Sequence, residues 1–188
     1  FESGTRPEFK ERVWKAKAHY EQAKMLYEKL GSAALAKRED ARAKFAEFWL
    51  HEDSDNRREI VEGCLGLSSE AVLLFGHENE VESIAQTHKD ILVYAAEALR
   101  LAKDWKSAIA HFETAVGVGK KAIEEFKALG KDEDVIEVVH QTLWFLAVKA
   151  ESLLEPARFQ ALKEEVAHSE VDLREASERA GTEYALCL

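Results

Sequence analysis

A chain of 188 residues, 46% hydrophobic and 33% charged, is long enough to bury a core and too apolar to be disordered. Its formal net charge of −10 repels a phosphate backbone and argues against nucleic acid as a partner. Two prolines and nine glycines give little turn chemistry for a sandwich or barrel, whereas the abundant Ala, Leu, Glu and Lys all favour helix.

Hydrophobic spacing reads as helix almost throughout. Thr5 and Pro7 suit the start of a first helix, in which Phe9, Val13, Ala16, Tyr20, Ala23 and Tyr27 recur at steps of three and four until Leu30-Gly31. Ser32 is expected to cap a second helix to about Leu50, carrying Leu35, Phe45, Phe48 and Trp49. The polar run from His51 to Asn56 is a turn, with Asp53, Ser54 or Asp55 as cap of a third helix ending at Phe75-Gly76. A fourth helix, from about Glu78 to Ala102, carries Val81, Ile84, Ile91, Leu92, Ala95 and Leu99. Asp104 caps a fifth, which stops at Leu129-Gly130; a sixth runs to about Leu154, and Pro156 opens a seventh reaching roughly Ala180. Short loops between long helices make neighbours antiparallel. The expected fold is therefore an all-α antiparallel helical-hairpin array of about seven helices, one domain over residues 1–188, either free-standing or a piece of a longer protein.

Two patterns match each other across 92 residues, Ala16-x3-Tyr20-x2-Ala23 and Ala108-x3-Phe112-x2-Ala115, and each helix runs on to a Leu-Gly stop. The interval divides into two units of 46, with Gly76 near the midpoint; the middle unit, at Glu62, Gly66 and Ser69, keeps only small residues. Self-similarity at such a period marks a helical repeat array, a class that commonly serves as a binding surface.

Chemistry-bearing patterns are sparse. Cys64 and Cys187 lie far apart, show no metal spacing and read as reduced thiols of a cytoplasmic protein, Cys64 as a small core residue. Ser68-Ser69 has no base nearby in sequence. Gly117 and Gly119 superficially resemble a phosphate loop, but no strand precedes them; close approach of a neighbouring helix is the expected use. Glu137/His140 and Glu165/His168 have the Glu-x-x-His spacing of carboxylate-bridged di-iron bundles; the alternative is a hydrogen-bonded core His140 and a solvated His168. No apolar run near 18 residues, secretory signal or N-x-S/T sequon is evident. The chain is expected to be non-enzymatic and without cofactor or metal.

From Lys89 to about Lys120 the sequence resembles a tetratricopeptide repeat. Leu92, Ala96, Leu99, Trp105, Ala108, Phe112 and Ala115 fall at that family's relative positions, with departures at Ala95 and Lys120. The first helix resembles the second half of such a repeat, and the long helices resemble the long-helix variety of these arrays. The resemblance implies a concave surface lined by one face of each repeat's first helix: Asp90, Val93, Glu97 and Arg100 in the fourth helix, and Gln141, Trp144, Val148 and Glu151 in the sixth. Carried to the second helix it gives Asp40, Ala43 and Glu47. Such a groove is mostly acidic, with Trp144 as aromatic anchor or ordinary core. Some family members clamp a carboxylate tail with Lys, Asn and Arg from this face, and Val93 and Glu97 occupy two of those positions, which disfavours that mode. The expectation is a scaffold or adaptor holding a protein or peptide, basic or an amphipathic helix, with no nucleic acid and no membrane insertion. The alternative is a helical sensor or regulatory domain of a larger protein, binding a small ligand or partner domain.

Overall fold

The computed structural model describes residues 7–139, 164 and 169–180. Among them every element is a helix: α1 Pro7–Lys29, α2 Ala33–Phe48, α3 Ser54–Glu78, α4 Val81–Arg100, α5 Trp105–Ala128, the residues 132–139 of α6, and α7 Ser169–Ala180. The fold is all-α. The chain groups into two compact units, Phe1–Thr87 and His88–Leu188, whose border falls inside α4.

The helix ends follow local chemistry. Gly31 and Gly130 adopt φ of +75° and +67°, the left-handed region that side chains resist. At both, the glycine N–H and the next N–H turn back onto the last helical turn: Gly31 to Glu28 and Ser32 to Tyr27; Gly130 to Lys127 and Lys131 to Phe126. The two Leu-Gly stops of the sequence are thus the same closure built twice. Gly76 is not a stop. Helix α3 runs on to Glu78 and ends at Asn79, at φ 58°, with Glu80 N–H returning to the Phe75 carbonyl. Asn tolerates this conformation because its short polar side chain satisfies nearby backbone. Asp53 caps α3 by accepting from Asp55 and Asn56, and Asp104 caps α5 by accepting from Ser107. Ser32 stands at the N-cap of α2 as expected, but its side chain makes no cap hydrogen bond; its N–H closes on Tyr27 and its carbonyl accepts from Ala36. Thr5 lies outside the described residues.

In the first unit α2 packs along both α1 and α3. Its alanines make this possible. Ala34, Ala41 and Phe48 recur every seven residues and are buried; Ala36 and Ala43 recur every seven on the opposite side and are buried too. Ala34 clusters with Ala71 and Phe75 of α3, with Leu35, Leu74 and Ile84 packed around them. The Cys64 thiol of α3 donates to the Ala41 carbonyl at 3.3 Å, so the α3 backbone lies close to that of α2. At the C-terminal end of α2 the rings gather: Phe45 stacks on Phe48 at 5.4 Å, and Trp49 meets Phe48, Phe45 and Phe9 edge-on at 5.1, 6.0 and 6.3 Å. The Arg57 guanidinium lies 5.2 Å from the Phe48 ring centre, and its Nε donates to the His51 carbonyl. These rings fill one another's space, as core does.

In the second unit, Leu92, Ala96, Leu99, Ala108, Phe112 and Ala115 are all buried, joined by Val116, Ala122, Ile123, Phe126, Val135, Val138, Val139 and Ala176. Gly117 is exposed, and a Cβ built on it would meet nothing within 4 Å, so it admits no neighbouring helix; Gly119 is buried. Helix α3, where no such apolar run is expected, is long and apolar enough by length and composition alone to cross a membrane. Val61, Cys64, Ala71 and Phe75 account for part of that character, and they are buried within the protein.

Two predictions follow from these positions. In urea unfolding, Gly117→Ala should stabilise by up to about 1 kcal/mol, whereas Gly130→Ala should destabilise by about 1–2 kcal/mol. Ala41→Leu, which enlarges a residue between two helices, should cost about 1–3 kcal/mol, while Ala33→Leu on the exposed first turn should stay within about 0.5 kcal/mol.

Candidate interaction surface

The carboxylates expected on the acidic face of α2 are paired with α1. Asp40 pairs with Lys24 of α1 at 3.1 Å, Glu47 approaches Lys17 at 3.8 Å, and Ala43 is buried between them in sequence. The higher-numbered lysine meets the lower-numbered carboxylate, as antiparallel helices require. The physical reason is seven-residue spacing on both helices: Lys17 and Lys24 match Asp40 and Glu47, so the carboxylates are neutralised within the unit. On the other side of α2, Lys37 pairs with Glu70 of α3 at 2.6 Å.

Helix α4 carries four of the expected groove residues. Asp90 and Val93 are half-buried and Arg100 is exposed. Glu97 is only 8% exposed and accepts from Arg100 Nε at 2.7 Å. All six residues from Tyr94 to Leu99 are buried. At about 100° per residue they cover the whole circumference of the helix. Glu97 is therefore a buried, hydrogen-bonded carboxylate rather than a free anion on a groove wall, and the sequence signal for a binding residue was in fact one for an i, i+3 ion pair. Gln141, Trp144, Val148 and Glu151 lie outside the described residues, as do His140, Glu165, His168 and Cys187.

Three charged groups in or near the core were not singled out by sequence. Glu39 of α2 is buried between Arg38 Nε at 3.3 Å and Arg42 Nη1 at 3.2 Å, and the Arg38 guanidinium also lies 5.7 Å from the Phe75 ring centre. The Arg38-Glu39-x2-Arg42 spacing was the available signal. His88 of α4 is buried, with Nδ1 at 2.7 Å from Glu125 of α5, where the imidazole donates to the carboxylate. Its neighbour Lys89 donates to both Asp134 and Glu137 of α6, at 3.2 Å to Asp134. These pairs join residues 37 to 48 positions apart, beyond the reach of periodicity. Glu137, considered above as half of a metal pair, is engaged by Lys89. Arg179 of α7 grips Asp132 at 2.8 and 2.9 Å.

Cys64 has no nucleophilic character. Burial pushes its thiol up to about 12, so the thiolate is negligible at neutral pH. Ser69 donates to the Leu65 carbonyl, and the Ser68 hydroxyl is buried with no partner. Among the described residues no three or more His, Cys, Asp or Glu side chains gather as a metal site.

These helices and their interlocking charges define an all-helical array. Comparison with family models, curated proteins and solved structures gave no match, so no family is assigned.

Burial alone would lower the Lys89 pKa; the bonds to Glu137 and Asp134 more than offset it and hold the ammonium above the ordinary lysine value. A cation raised in this way contributes its stability in full below the unfolded value, about 10.4, and loses it as pH rises through the folded value. The stability difference between wild type and Lys89→Met should thus be constant from neutral pH to about pH 9 and shrink above about pH 10.4, measured by urea unfolding at each pH. A difference unchanged at pH 11 would remove the ion pairs from this account.

Proposed function

We propose that this chain is a non-catalytic protein-interaction scaffold of the tetratricopeptide-like, long-helix kind, working in the cytoplasm. The observation that carries this reading is the packing of the first unit, where α2 lies along both its sequence neighbours, α1 and α3, as consecutive helices of a hairpin array do. The buried Leu92, Ala96, Leu99, Ala108, Phe112 and Ala115 support the repeat reading from the second unit, since these small and aromatic residues are the ones such a repeat places in its core.

The groove of this reading consists of Asp90 and Val93 of α4 with Gln141, Trp144, Val148 and Glu151 further along the chain. With Glu97 buried and Arg100 exposed, it is less acidic than the residue types alone imply, and an amphipathic helix suits it better than a purely basic peptide. Affinity capture with the intact chain, an Asp90→Lys/Val93→Glu variant and Trp144→Glu tests this. The expected result is that both variants keep the helical circular dichroism of the parent and lose its captured proteins. An unchanged set of captured proteins, or a Trp144→Glu chain that unfolds, would remove the groove.

A further inference from the structure

We draw no further inference here: the strongest candidate, the exposed apolar ridge of α1 at Trp14, Ala18 and Met25, is bordered by Glu11, Glu21 and Glu28 as much as by Arg12, His19 and Lys29, so nothing in the structure shows what covers it.

Discussion

The closeness of α2 to both of its neighbours is the constraint on which the first unit rests. Two seven-residue series of small residues, Ala34/Ala41 and Ala36/Ala43, lie on opposite sides of one helix, so backbones can approach from both directions. The hydrogen bond from the Cys64 thiol to the Ala41 carbonyl exists only because of that approach. So do the registers that put Lys24 on Asp40 and Lys37 on Glu70. Larger residues at these positions would push the helices apart and break the charge pairs along with the packing. The aromatic cluster of Phe9, Phe45, Phe48 and Trp49 closes the end of α2, where Phe48 continues the alanine series with a large residue.

The second unit uses a different balance. Its core is filled by larger aliphatic and aromatic residues, and its helices are tied by charges drawn from distant positions: His88 to Glu125, Lys89 to Asp134 and Glu137, Arg179 to Asp132. Pairs held at half-buried sites are screened less by salt than those on open surface. Several of the carboxylates that suggest an acidic binding face are paired in this way, although the excess of ten acidic residues remains. The formal charge of a helical array is therefore a poor guide to the charge of its faces.

Helical content, the two Leu-Gly closures and the Asp53 and Asp104 caps were legible because each depends on neighbours within a turn. The misreadings also have local causes. Gly76 resembles a stop, but its surroundings keep ordinary helical backbone and Asn79 takes the left-handed position instead. Ser32 takes the N-cap position of α2 as expected, but its side chain makes no cap hydrogen bond. Gly117 suggests close packing and faces open space. Of the expected groove, Asp90 and Val93 remain at the surface while Glu97 is buried with Arg100.

The sequence by itself determined the all-helical class, the limits of α1 to α5 to within a few residues and the stripe of α1 that turns inward, because these follow from periodicity and capping, which act over a few residues. Only the tertiary structure decided which charges are spent on one another, why α2 is apolar on two sides, and which apolar side of α1 is left uncovered. Those outcomes depend on which helices become neighbours and in what register, and residues dozens of positions apart carry no periodic signal of their meeting.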